Sequence, residues 1–378
     1  MTVELAAVAL AGALVAYFNG ANDVSKGIAT LVGSGVTNYR GAILWGTICT
    51  GLGGLSGAVM ANAMVQTFGK GLLANGTIPT FTAALATIFG ASTCVAIATR
   101  TGLPISTTHA IVGSVAGVAA FAYGLHGINW SSLVNKIALP LLLSPVLALA
   151  FTSIAIRVLR SLHRHFPGDT DCACATLELN PVLTGMAMDG SASAGLSLPS
   201  FGVRVATTEE CATDRTTFLG INAHHLHWFT SGATSFARGM NDAPKMVAIV
   251  LAAAMLHGRF QFRPAAFVFV TLGMVAGSWL AGKRVTRVLA EKITPMDHWE
   301  GFLANAVTAA LVMPSAALGL PMSTTHVSSG SIMGIGLQKR TQVNWRTVRD
   351  MLLAWVVTLP LAGLFGILIY LVLRAAHI

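Results

Sequence analysis

The chain has 378 residues, 54% of them hydrophobic and only 10% charged, where a soluble domain carries about a quarter. With a mean hydropathy of +0.70 it cannot be an ordinary water-soluble globule, and the lipid bilayer is its expected surrounding. The formal net charge of +9 would suit nucleic acid only if the basic residues lined one face; they sort between loops instead, so no nucleic-acid partner is expected.

A helix needs about 20 apolar residues to cross a hydrocarbon layer of about 30 Å. Runs of that kind fall near 2–18, 41–66, 80–99, 105–124, 136–158, 218–237, 264–282, 301–318, 321–337 and 351–373. The expected fold is an all-α integral membrane protein with about ten crossings. Its first run opens with Glu4 rather than a basic stretch and lacks a small-residue cleavage site, which reads as a retained helix and not a signal peptide. If the crossings alternate, Arg40, Arg100, Arg157, Arg160, Arg164, Lys283, Arg284, Arg287, Lys292, Lys339, Arg340, Arg346 and Arg349 share one side. Only Lys70, Lys136, Arg259, Arg263 and Arg374 face the other. Basic residues accumulate on the cytoplasmic side, so both termini are expected outside, in a multi-pass protein of the cell (plasma or inner) membrane.

Two polar motifs interrupt the apolar sequence, and each occurs twice. Asn22-Asp23-x-x-Lys26 returns as Asn241-Asp242-x-x-Lys245, and Pro104-x-Ser106-Thr107-Thr108-His109 returns as Pro321-x-Ser323-Thr324-Thr325-His326. Asn129-Trp130 and Pro145 likewise return as Asn344-Trp345 and Pro360. Five crossings per copy is an odd number, so the second copy, 218–378, must enter from the opposite side to the first, 1–160. Inverted repeats of this kind place a transported substrate near the midplane, where the two copies meet.

Around Asn22-Asp23 the glycines Gly20, Gly27, Gly33 and Gly35 suggest a broken or re-entrant membrane segment. Asp23 and Lys26, three apart, share a helical face and can pair. An unpaired charge at the bilayer centre costs at least about 2.5–3.5 kcal/mol, so a structural salt bridge accounts for one copy; two converging copies point to a site. In the second motif a proline precedes three hydroxyls at a helix start. There side chains, backbone N–H groups and the helix dipole favour a tetrahedral oxyanion.

His109 and His326 follow the hydroxyls and could relay protons or orient them, or serve as structural donors. Gly113-Ser114-x-x-Gly117 and Gly330-Ser331-x-x-Gly334 read as close-packing faces. Arg238, aligned with Asn19, reads either as a guard that attracts the anion or as a snorkelling helix-end residue.

Between the copies, 161–217 turns polar and collects Asp169, Asp171, Glu178, Asp189, Glu209, Glu210 and Asp214, reading as a cytoplasmic connecting loop. His163, His165, Cys172, Cys174 and Cys211 match no standard zinc-finger spacing, so reduced cysteines on a solvated linker, without metal, are expected. Cys49 and Cys94 read as packing residues inside helices.

With these four motifs in order, the chain resembles the inorganic phosphate transporter (PiT) family over nearly all of both halves. Gly20-Ala21-Asn22-Asp23-Val24 and Gly239-Met240-Asn241-Asp242 carry the resemblance together with the two Ser-Thr-Thr-His elements. It implies symport of inorganic phosphate with sodium or protons, through an inverted-repeat fold and as a homodimer, without a cofactor. The anion would be held by Ser106, Thr107, Thr108, Ser323, Thr324 and Thr325 with Asn22, Asn241, Lys26 and Lys245, and the coupling ion by Asp23, Asp242, Asn22 and Asn241. Sulfate is the alternative oxyanion.

The chain departs from the family where Lys26 and Lys245 replace the second Asn of each signature. An amide oxygen can ligate sodium and an ammonium cannot, which favours proton coupling. An enzyme is not expected, because a hydrolytic triad needs one nucleophile and one base whereas every candidate here is doubled. A cation exchanger is disfavoured because helix N-termini repel cations.

Overall fold

The computed structural model describes residues 3–75, 77–165, 172–181, 197–214, 216–255, 263–339 and 343–377. Arg259, Arg340, Asp169, Asp171 and Asp189 lie outside the described residues, as do the side chains of His163 and His165. The chain divides into two compact units, Met1–Val158 with His227–Ile378, and Leu159–Leu226.

The larger unit is helical. Its first half runs through α1 (Val3–Asp23), α2 (Ser25–Gly33), α3 (Tyr39–Met60), α4 (Asn62–Lys70), α5 (Phe81–Thr101) and α6 (Thr107–Tyr123). A short turn, α7 (Trp130–Ser132), then leads through a π-helical stretch, Leu133–Ala138, into α8 (Leu139–His165). Among the described residues, six helical stretches are long and apolar enough to cross a membrane: Val3–Gly33, Tyr39–Met60, Phe81–Thr101, Trp130–Ser161, Arg263–Ala281 and Trp345–Ala375.

In the smaller unit β1 (Cys172–Pro181) lies between β2 (Ser197–Ala206) and β3 (Thr217–Asn222), antiparallel to both. The segment expected to be a loop therefore carries a sheet, an addition to the all-α expectation. α9 (Thr208–Thr213) is started by a capping box in which Thr207 accepts from the Glu210 N–H and Glu210 from that of Thr207. One face of the sheet is apolar and exposed: Phe201, Val203, Val205, Leu219 and Ile221 alternate along β2 and β3.

The second half of the larger unit runs through α10 (Ala223–Met255), α11 (Arg263–Ala281), α12 (Lys283–Glu291), α13 (His298–Ala317), α14 (Thr324–Gln338) and α15 (Trp345–Ala375). Its ends repeat the chemistry of the first half. α5 and α13 both finish in a left-handed glycine, Gly102 (φ 79°) and Gly319 (φ 71°). The next N–H groups, of Leu103 and Leu320, return to Ala98 O and Ser315 O five residues back, the Schellman arrangement that needs a residue without Cβ. Pro104 and Pro321 follow, and Ser106 and Ser323 cap the next helices by accepting from the N–H of His109 and His326. The Asn-Trp repeats are also helix starts, with Asn129 accepting from Ser132 N–H and Asn344 from Thr347 N–H.

The Asn-Asp motifs do not break their helices as expected. α1 and α2 are separated by one residue, Val24, itself helical (φ −56°, ψ −31°), and α10 runs 33 residues straight through Asn241-Asp242. The glycines have another use. A Cβ at Gly20 would run into Met274 O, one at Gly277 into Tyr17 O, and one at Gly239 into Thr50 O. They let α1 lie against α11 and α10 against α3 at backbone contact. The small-residue faces of α6 and α14 do the same, Gly113 against Leu359 O and Gly330 against Pro145 O, as their spacing led us to expect.

Candidate functional site

Close glycine packing brings the polar stretches of α1, α6 and α10 together inside the larger unit. Asn19, Asn22, Asp23, Lys26, Arg238, Asn241, Asp242 and Lys245 are each no more than 2% exposed. Burying so many ionic groups is costly unless they are paired and their remaining hydrogen bonds satisfied, and here they satisfy one another.

Asp23 is the hub of the first half. Its Oδ1 accepts from Lys26 Nζ at 2.7 Å, and its Oδ2 from Thr107 Oγ1 at 2.9 Å and Asn19 Nδ2 at 3.1 Å. The Lys26 ammonium also donates to Asn22 O and Asn22 Oδ1, both at 2.8 Å. Three oxygens thus enclose a fixed positive charge. Asn22 is held in turn by donating to Leu103 O (3.1 Å) and Thr99 Oγ1 (3.3 Å), which ties the first motif to the loop leading into α6.

The second half repeats the plan with changed partners. Lys245 Nζ donates to Asp242 Oδ1 at 3.1 Å and, across to the first half, to Thr108 Oγ1 at 2.9 Å. Asn241 Nδ2 donates to Asp242 Oδ1 (2.9 Å) and to Met322 O (3.1 Å) in the loop before α14. Asn241 Oδ1 is buried and has no hydrogen-bond partner among the described residues. The two carboxylates meet at one atom, since Asn19 Nδ2 lies 3.1 Å from Asp23 Oδ2 and 3.3 Å from Asp242 Oδ2.

Arg238 does not snorkel; it is fully buried. Its guanidinium donates to Thr50 Oγ1 (3.1 Å), Asn19 Oδ1 (3.1 Å) and Asn19 O (3.3 Å), with Nε 3.8 Å from Asp242 Oδ2. With every group ionised, Lys26, Lys245 and Arg238 outnumber Asp23 and Asp242 by one positive charge. The cluster would then carry a net positive charge, which favours an anion over a cation.

The six hydroxyls divide. Thr107 and Thr108 touch the charged cluster. Ser106 and Ser323 accept cap bonds and keep a hydroxyl hydrogen to donate. Thr325 Oγ1 donates to Ile105 O at 2.8 Å, and Thr324 is buried.

The histidines look elsewhere. His109 and His326 stack edge-on at 4.7 Å, and His326 lies 3.9 Å over Trp355 with Nδ1 3.1 Å from Leu141 O. Both line an apolar cavity of about 530 Å³ with Val112, Leu133, Ile137 and Leu359. Neither ring bonds a hydroxyl of the motifs among the described residues, which favours the structural reading. Asn19 and Thr50 escaped the sequence reading as parts of this cluster, although the alignment of Asn19 with Arg238 was visible and the two turn out to be bonded.

Known proteins resemble this chain along most of its length. A protein of Pyrococcus abyssi named as a phosphate permease is 27% identical over 397 residues, covering 96% of each chain. A "probable low-affinity inorganic phosphate transporter" of Mycobacterium tuberculosis is 26% identical over 360 residues, covering 94% of this chain and 74% of that protein. A solved structure titled "The sodium-dependent phosphate transporter" superimposes with a TM-score of 0.76 at 21% identity, covering 99% of this chain and all of that one; at that identity it speaks for the fold alone. The sequence model of the phosphate transporter family matches residues 19–366, and the chain therefore belongs to the phosphate transporter family.

Proposed function

We propose that this chain is a symporter that carries inorganic phosphate across the cell membrane by alternating access and couples that movement to protons rather than sodium. The repeats 1–160 and 218–378 act as inverted halves of a homodimer's protomer, joined by a cytoplasmic segment, 161–217. The anion lies between Asn22-Asp23-Lys26 and Asn241-Asp242-Lys245, within reach of the hydroxyls of Ser106, Thr107, Thr108, Ser323, Thr324 and Thr325.

One observation carries the coupling. The Lys26 ammonium sits among Asn22 O, Asn22 Oδ1 and Asp23 Oδ1 at 2.7–2.8 Å, an all-oxygen nest of the kind hard monovalent cations occupy. A tethered cation already fills it, so a dissolved sodium ion has no place to bind there. The solved relative is sodium-dependent by its title; this chain carries its own positive charges. The coupling proton then resides on Asp23 or Asp242, whose ionisation alters the field felt by the anion.

The same carboxylates favour phosphate over sulfate. A protonated phosphate can donate to a carboxylate, whereas fully ionised sulfate presents only acceptors, and buried like-for-like acceptors repel. The test is uptake of radiolabelled phosphate into proteoliposomes under separately imposed sodium and pH gradients. The expected result is uptake driven by an inward proton gradient without sodium and competed by arsenate more than by sulfate. A strict sodium requirement that a protonophore leaves untouched would overturn the proton reading.

A further inference from the structure

Among the described residues the smaller unit has almost no apolar core, and what stands in its place is sulfur. Cys172 and Cys174, two apart on the central strand β1, project from the same face of the sheet. Cys211, from α9, comes down onto that face. The three sulfurs lie within 4.8 Å of one another, and the residues are 4%, 0% and 6% exposed. With Ala206 they make up the unit's buried cluster among the described residues. Domains this small bury little apolar surface, and natural ones often add disulfides or a metal ion to hold together.

We propose that, in the reduced protein, Cys172, Cys174 and Cys211 form a binding site for a thiophilic metal ion, zinc being the divalent ion that suits it. Thiolate sulfurs select soft and borderline metals over the oxygen-seeking ions. A tetrahedral zinc with bonds of about 2.3 Å sets its sulfurs about 3.8 Å apart, so Cys172 needs to close on the other two by no more than about an ångström, while Cys174 and Cys211, bonded here, must separate to that spacing once reduced. Cys174 and Cys211 form a disulfide in this structure, with Cα atoms 5.7 Å apart. That bond uses two of the three sulfurs gathered here; a metal uses all three.

Loading therefore begins with reduction. A thiol reductant passes two electrons to the Cys174–Cys211 bond, two protons complete the thiols, and the reductant leaves as its own disulfide. Metal binding then displaces the thiol protons to solvent, one for each sulfur that becomes a thiolate ligand, so affinity falls as pH is lowered. The spacing of these cysteines matches no standard finger because the site is assembled by strand pairing and not by a local loop. β1 supplies a ligand pair at i and i+2, and a helix after the next strand supplies the third.

The test uses the full-length protein in detergent with a phosphine reductant, loaded with zinc and, separately, with cobalt as a spectroscopic probe. About one equivalent of metal per chain is expected, with sulfur-to-cobalt charge-transfer absorption. Cys172→Ser should remove both while leaving phosphate uptake in liposomes intact, and the Cys49→Ser/Cys94→Ser double variant should keep both. Cys172→Ser retains Cys174 and Cys211, and re-formation of their cross-link once the phosphine is removed and the protein reoxidised would show that metal loss in this variant is not unfolding. Zinc and cobalt failing to bind the reduced protein, or binding equally to Cys172→Ser, would overturn the site. The metal readouts do not depend on which ion drives transport.

Discussion

In the proposed site two side chains bear most on the coupling ion, Lys26 and Lys245. Replacing both with Asn restores amide oxygens where the ammonium groups now lie, and sodium should then stimulate phosphate uptake about tenfold, equivalent to about 1.4 kcal/mol of coupling. Uptake by the double variant that still ignores sodium would show that the lysines do not exclude it. Arg238 is the second test. Cutting it to Ala strips Asn19 Oδ1 and Thr50 of a donor and leaves Asp242 less compensated. Removing one partner from a buried ionic network costs about 3–5 kcal/mol, so the Arg238→Ala protein should melt well below the parent in detergent and fail to transport. Asp23, Lys26, Asp242 and Lys245 could be singled out from residue type and spacing, because charge at membrane depth is informative in itself. Asn19 and Thr50 could not, since a lone amide or hydroxyl in an apolar run says nothing until the helix carrying it is placed. For the histidines the sequence left two readings open, since adjacency to the hydroxyls does not say where the ring points, and both rings line an apolar cavity.

At the level of elements, the repeated helix ends were written in the chain and the helix interiors were not. Gly-Leu-Pro-x-Ser spells a left-handed stop, a proline and a new cap in both halves, at 102–106 and 319–323. Glycine density at Asn22-Asp23 suggested a break, yet glycine in a membrane helix also permits backbone contact, and only the neighbouring α11 decides between the two. Gly277→Ala tests the packing use. Its methyl group would meet Tyr17 O, and overpacking of this kind costs about 1–3 kcal/mol. The variant should give a lower melting temperature and a broadened size-exclusion profile, whereas a broken, mobile segment would absorb a methyl group without change. Ser106→Ala and Ser323→Ala should each cost about 1 kcal/mol through loss of a cap. The loss of uptake should exceed the loss of stability if their free hydroxyl hydrogens also meet the anion. The sheet of the smaller unit was unreadable because its polar composition resembles a linker, and its order comes from pairing partners distant in sequence.

Over the whole molecule, matched halves do not make matched fastenings. Lys26 keeps to its own motif, while Lys245 crosses to Thr108; the position equivalent to Thr108 is Thr325, and that hydroxyl is spent on Ile105 O. Suppose the halves part by rocking about this buried polar cluster, as the proposed alternating access requires. On one flank an ammonium-to-hydroxyl tie must be undone, and on the other a neutral hydroxyl-to-carbonyl tie. The activation barriers for facing the two compartments are then unequal, and influx and efflux will run at different speeds under mirror-image gradients even though the equilibrium they approach is the same. Initial rates from right-side-out and inverted vesicles should therefore differ. Thr108→Val, which cuts the crossing tie, should bring the two rates closer together.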